Sequence, residues 1–130
     1  MFDKYMVCEE TLHNVVEDGA VTGYAFEVRI TYYRGLRLSM VEPFEVVVDG
    51  APVPVEDLRF TLGGARTYTF AEMADEIGDR WEFGERALLT VRKPGGLAAG
   101  EHTLDVIERL RISYMPVLSE ARCRKTAVVA

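Results

Sequence analysis

Metal ligands and reactive thiols are scarce in this chain, which holds two cysteines and two histidines among its 130 residues. His13 and His102 stand far apart with no second imidazole near either, and Cys8 and Cys123 lie at opposite ends. A metal centre needs three or four such ligands to converge, and the paired histidines and glutamate of a cupin-type barrel are missing. Neither histidine is therefore expected to be a ligand. Basic charge is also short: 15 Lys and Arg face 21 Asp and Glu, a formal net charge of −6. That balance argues against nucleic acid, which needs clustered cations, and offers no attraction to an anionic membrane surface. No apolar run approaches the ~18 residues of a membrane span. The start Met1-Phe2-Asp3-Lys4 has neither the charged region nor the apolar stretch of an export signal. The expectation is a cytoplasmic protein with two free, packed thiols, a single terminal disulfide being the alternative.

Catalytic signatures are equally thin. Ser39, Ser113 and Ser119 are not set in Gly-x-Ser-x-Gly elbows, and neither cysteine has a local activating pattern. Gly63-Gly64 and Gly95-Gly96 lack the Lys-Thr or the alternating glycines of a phosphate loop. The acidic group Glu72, Asp75, Glu76, Asp79, Glu82 and Glu85 invites comparison with a glycosidase pair, which needs two carboxyls held ~5–10 Å apart. A short helix with acids on its first turn and outer face explains most of them more simply.

What the chain does have is ordinary globular composition, 48% hydrophobic and 28% charged, and a length suited to one domain spanning residues 1–130. Strand signals dominate. Tyr24, Phe26, Val28, Ile30 and Tyr32 alternate with Glu27, Arg29 and Thr31, the period-two pattern of a half-buried antiparallel strand. Asp49-Gly50 separates apolar runs at 44–48 and 51–55 and predicts a tight hairpin, with Pro52 and Pro54 confining the second arm to an edge or to a short, irregular piece. Further strands are expected at 58–62, 66–70, 81–83, 87–91, 102–112 and 125–129. In the run 102–112 Glu108 interrupts an otherwise apolar face. Thr69 with Glu72 three residues on forms a capping box, so a helix is expected over 71–77, stopped by Gly78. Eight to ten short strands and one short helix make the fold mainly β, an antiparallel β-sandwich of Ig-like or jelly-roll-like type.

Three segments carry aromatic, arginine and methionine side chains beyond what a small core needs: 32–40, 79–85 and 111–118. These residue types are enriched in protein interfaces. The interface or pocket candidates are Tyr33, Arg34, Leu36, Met40, Tyr114 and Met115, with local packing the competing role for each. Tyr32, Trp81 and Phe83 fall in inward registers and are assigned to the core.

The same segments carry a resemblance. Tyr32-Tyr33-Arg34-Gly35-Leu36, Leu38-Ser39-Met40, Asp79-Arg80-Trp81-Glu82-Phe83-Gly84, Lys93-Pro94-Gly95-Gly96-Leu97 and Arg111-Ile112-Ser113-Tyr114-Met115-Pro116, with the opening Met1 to Met6, resemble the small (β) subunit of bacterial C-glycoside deglycosidases. The match runs over nearly the whole chain, its order and spacing more specific than any one string, and is weakest over 120–130. It implies a larger α subunit, similar to sugar-phosphate isomerase barrels, that carries the catalytic residues and a divalent metal, expected to be manganese. No cofactor is then held by this chain. The substrate implied is a C-glycoside of a flavonoid or related phenol, already oxidised to a ketone at C3 of the sugar. The ketone acidifies the C2 proton, a base removes it, and the aromatic carbon at C1 leaves by β-elimination. Lewis-acid polarisation of the carbonyl is what the metal would contribute. An accessory subunit would cap the barrel mouth, exclude water and order active-site loops. Two other classes stay open: a stand-alone carbohydrate-binding or Ig-like interaction module, and a self-sufficient lyase or isomerase using the acidic group and His102.

Overall fold

The computed structural model describes residues 3–63, 66–112 and 118–130. Strand β1 (Val7–Glu17) turns at Asp18-Gly19 into β2 (Ala20–Arg29). A two-residue strand β3 (Leu36–Arg37) follows, then β4 (Glu45–Val48) and β5 (Ala51–Pro52). Next come β6 (Leu58–Leu62), β7 (Arg66–Tyr68), the single-turn helix α1 (Phe70–Met73) and β8 (Arg80–Trp81). The chain closes with β9 (Arg86–Arg92), β10 (Gly100–Leu110) and β11 (Ser119–Val129). All the pairings are antiparallel. One sheet runs β1-β2-β9-β6-β7, a second β11-β10-β4-β5, and β3 pairs with β8 in a small third sheet. The expected mainly β sandwich with one short helix is what forms.

The core follows from the alternation. Tyr24, Phe26 and Val28 of β2, Leu89 and Val91 of β9, and Leu58 and Phe60 of β6 are buried from the first sheet. Val46 and Val48 of β4, with Leu104, Val106 and Leu110 of β10, are buried from the second, in the same cluster. Toward one end the filling is aromatic. Trp81 lies edge-on to Phe60 with ring centres 5.1 Å apart and 6.2 Å from Phe44, which itself lies 5.5 Å from Phe70.

The Asp49-Gly50 turn is as expected, with φ of 52° and 81°, the positive pair that a tight β4–β5 hairpin demands. Two elements differ from their sequence patterns. β1 has no legible alternation because its register against β2 shifts between Cys8 and His13 and again between Val15 and Val16. Thr11 holds the first irregularity: its Oγ1 donates to the Cys8 carbonyl at 2.6 Å and accepts from the Glu27 amide at 2.7 Å. Helix α1 is shorter than the 71–77 expected. The Glu76 carboxylate accepts from the amides of Gly78 and Asp79, at 2.9 and 3.0 Å, a local turn that competes with further helix. The Glu76 carbonyl meanwhile accepts from the Ser39 amide.

The capping box is present, Thr69 Oγ1 accepting from the Glu72 amide at 3.1 Å and the Glu72 carboxylate from the Thr69 amide at 2.8 Å. Thr69→Ala is expected to cost about 1 kcal/mol and lower the melting temperature by roughly 4 °C, read by the fluorescence of the chain's one tryptophan. Both cysteines are buried and free, and burial pushes the Cys8 thiol above its ordinary value.

Candidate functional site

The register of β2 on β9 fixes two opposite ends of the sandwich, since Gly23 faces Arg92 at one and Arg29 faces Arg86 at the other. At the Arg29 end β2 runs out into the segment 30–41. Its first residue past Ile30 is anchored from the second sheet. Glu108 is fully buried on β10, and its Oε1 accepts from the Thr31 amide at 2.9 Å and the Thr31 hydroxyl at 2.7 Å. The carboxylate that interrupts the apolar face of β10 is thus a bracket between the sheets.

Beyond Thr31 the chain must turn sharply to bring β3 onto β8. Gly35 makes the turn with φ of 72°. A Cβ there would meet the Trp81 carbonyl oxygen and Glu82 Oε1, each at 2.6 Å. Both the conformation and the close approach therefore demand glycine. Leu36 then pairs with Trp81 and Arg37 with Arg80. Arg111 secures the far side of the segment, its amide donating to the Met40 carbonyl at 2.8 Å and its Nη2 to the Ser39 carbonyl at 2.7 Å.

The result is an exposed aromatic surface on a braced frame. Tyr33 is 53% exposed, with the Arg34 guanidinium 5.4 Å from its ring centre. Phe83 and Tyr5 are about half exposed, and with Arg29, Ile30 and Gly84 they line a cavity of about 400 Å³. Exposed aromatics grouped at one end of a small domain are the kind of surface that marks an interaction site.

Tyr33 and Arg34 are brought together at the surface. Leu36 is half-buried and packs on the core, and Met40 is half-buried, its carbonyl engaged by Arg111. Tyr114 and Met115 lie outside the described residues. Of the residues assigned to the core, Tyr32 and Trp81 are buried but Phe83 is exposed, because β8 ends at Trp81 and the chain turns at Gly84. Trp81 keeps its place by donating its indole N–H to the Glu85 carbonyl at 2.8 Å. Tyr5 carried no periodic signal, standing in a short 3-10 turn before β1.

The other candidate chemistries disperse. Among the described residues no three His, Cys, Asp or Glu side chains come together to hold a metal ion. Within the acidic group Glu76 and Asp79 meet at one cation, Arg66 Nη1, at 3.7 and 4.0 Å. Glu72 caps α1, Glu76 closes its own turn, and Asp79 accepts from the Tyr68 phenol. Glu82 pairs with Arg80 at 3.3 Å, and Glu85 accepts from the Glu82 amide at 3.1 Å.

His102 sits at the opposite end, where both ring nitrogens face acceptors: Nδ1 lies 2.6 Å from Asp49 Oδ2 and Nε2 2.7 Å from the Ala98 carbonyl. A neutral imidazole has one N–H, so satisfying both contacts requires the imidazolium. The Ala98 carbonyl and then Asp49 hold its pKa above the ordinary 6.5, against burial and the nearby charge of Lys93. A raised folded-state value means that the stabilisation is complete below about pH 6.5 and is lost as pH rises through the folded value. The melting temperature is expected to fall across that upper window. His102→Gln should flatten this part of the profile, and an unchanged pH dependence in the variant would exclude the ion pair as its source.

Residues 2–114 match the family model described as C-glycoside deglycosidase beta subunit. The chain is 37% identical over 99 residues to the C-glycoside deglycosidase beta subunit of Eubacterium cellulosolvens, covering 76% of this chain and 67% of that one. It is 36% identical over 107 residues to the 3'-dehydrocarminate deglycosidase beta subunit of a Microbacterium species, covering 79% of each. A C-glycoside deglycosidase beta subunit of Arthrobacter globiformis is 36% identical over 91 residues, covering 70% of this chain and 69% of that one.

Proposed function

This chain belongs to the C-glycoside deglycosidase beta subunit family, and from that premise we propose that it docks through its Tyr5, Tyr33 and Phe83 end onto a catalytic partner subunit. The partner is a barrel-fold α subunit holding a divalent metal, and the joint reaction is β-elimination of the aromatic carbon from a 3-oxo-C-glycoside of a flavonoid or related phenol. A Lewis acid at the sugar ketone is what the metal supplies there. This chain contributes no proton-transfer group. It caps the barrel mouth, removes water from the reacting centre and fixes the loops around it.

The observation that supports the docking face is the exposed aromatic group itself. Its backbone is over-determined by Glu108, Gly35 and Arg111, so little ordering entropy remains to be lost on association. Tyr33 and Arg34, in contact with each other, offer a flat ring and a planar cation suited to the aromatic half of the substrate. Tyr114 and Met115 join them in this proposal on residue type alone.

Phe83→Asp puts a charge at the centre of the face while leaving the core untouched. Assembly with the α subunit, followed by size exclusion, is expected to weaken by at least about 30-fold, the scale of a single interface hot spot. The variant should melt like the parent chain. Unimpaired assembly would remove this face from the interface. In the complex that still forms, Tyr33→Ala is expected to raise KM for the aryl C-glycoside by more than it weakens assembly.

A further inference from the structure

The Tyr5 and Phe83 end carries positive charge that its own chain leaves unanswered. Beside the cavity of Tyr5, Ile30 and Phe83 lies a second hollow of about 480 Å³, and Arg29 and Tyr5 line both. Arg29 ends β2, where its amide donates to the Met6 carbonyl at 2.7 Å and ties the chain just past the 3-10 turn to the sheet. Its half-buried side chain makes one hydrogen bond among the described residues, from Nη1 to the Tyr5 carbonyl at 3.2 Å. A guanidinium carries five N–H donors in a planar fork, so most of this one is left to solvent. Lys4, exposed on the second hollow, lies 5.2 Å from the centre of the Tyr5 ring.

Among the described residues neither cation has a carboxylate within ion-pair distance. The acids that line the same hollow are taken. Glu9 is held by Lys125 at 3.1 Å, and Glu10 by Arg86 at 3.4 Å. Glu27, on the same strand as Arg29, also goes to Arg86, at 3.0 Å. The chain holds 21 acids against 15 bases, so the open cations do not reflect a general shortage of carboxylates. Docking over this cavity would take Arg29 out of water between the Tyr5 and Phe83 rings. A buried guanidinium without a counter-charge is strongly unfavourable. Its own chain offers no free acid among the lining residues, so the compensating group has to come from the other surface. With water excluded, a bidentate carboxylate on such a fork is also among the stronger polar contacts.

We infer that the partner subunit supplies a carboxylate side chain that enters the cavity and pairs with Arg29, set in an acidic surface that faces Lys4. This rests on the docking face proposed above and adds the sign of the charge that meets it. Lys4, outside the cavity, steers the encounter. Arg29, inside it, holds the complex once formed.

Assembly with the α subunit, followed by surface plasmon resonance between about 50 and 500 mM NaCl, tests it. The association rate of the parent chain is expected to fall about tenfold over that range. Arg29→Met keeps the bulk of the stem without the charge, and is expected to weaken assembly about 30-fold, mainly through faster dissociation. Arg29→Glu should weaken it further, by setting like charges together. Both lose the bond to the Tyr5 carbonyl, so their melting temperatures are compared with the parent's. Lys4→Gln removes a charge where no hydrogen bond among the described residues is at stake. It should slow association about threefold and flatten the salt dependence, with dissociation unchanged. Assembly that is strengthened by Arg29→Met or indifferent to it would overturn the inference, as would an association rate indifferent to salt and to Lys4→Gln. If Phe83→Asp still weakens assembly in that case, the docking face stands and only its acidic counterpart falls. If no variant weakens assembly, both fall.

Discussion

Replacing Trp81 by alanine is expected to lower stability by about 4 kcal/mol, the scale of a buried Trp or Phe truncation, and the melting temperature by roughly 15 °C. The ring is completely buried against Phe60 and Phe44, in a part of the core filled by aromatics rather than by flexible side chains. Collapse to fill the space would require three other rings to leave their tilted and edge-on arrangements, so most of the cavity should persist. The Glu85 carbonyl also loses its donor. Trp81→Phe restores much of the volume but not the N–H, and is expected to fall between the alanine variant and the parent. Because the chain has one tryptophan, these transitions are followed by circular dichroism. A loss under about 1 kcal/mol would mean that the aromatic cluster is looser than its geometry indicates.

Glu108→Ala should be nearly as severe, about 3 kcal/mol, since it removes the acceptor from two buried donors on Thr31 at once. Its effect is also directional. Thr31 begins the segment that ends on the docking face, so amide exchange should accelerate at 31–37 before it does in β6 or β9. Glu108→Gln keeps an oxygen in place and is expected to lose about 1 kcal/mol. Thr31→Val removes one of the two bonds, and combining it with Glu108→Ala gives the coupling between the sheets by a double-mutant cycle. Strictly additive losses would show that the bracket does not act as a unit.

The parts of the fold that sequence makes legible are those where one physical rule acts alone. Period-two burial marked β2, the Asp49-Gly50 pair marked its hairpin, and the reciprocal Thr69 and Glu72 bonds marked the helix start. β1 shows no period because Thr11 stabilises an irregularity that erases the alternation, and the helix stops short of its 71–77 pattern because Glu76 redirects the backbone by a side-chain bond that no periodicity records. In the site, Tyr33 and Arg34 are legible by type and position, whereas Phe83 continues the alternation of a strand that stops two residues earlier. Glu108 was visible only as a fault in an apolar face. Its partner Thr31 is 77 positions away, a distance at which local pattern says nothing.

The outer strands of the two sheets are unequal. β1 and β11 lie against one another, with Lys125 reaching Glu9 at 3.1 Å. The opposite borders are β7, three residues long and begun by Arg66, and β5, two residues long with Pro52 in it and Pro54 just beyond. Proline offers no N–H, and so short a border gives an incoming extended peptide little to pair with. Templated growth of the sheet is therefore discouraged on that flank. Chains crowded together during synthesis therefore have few open ladders on that flank by which to join.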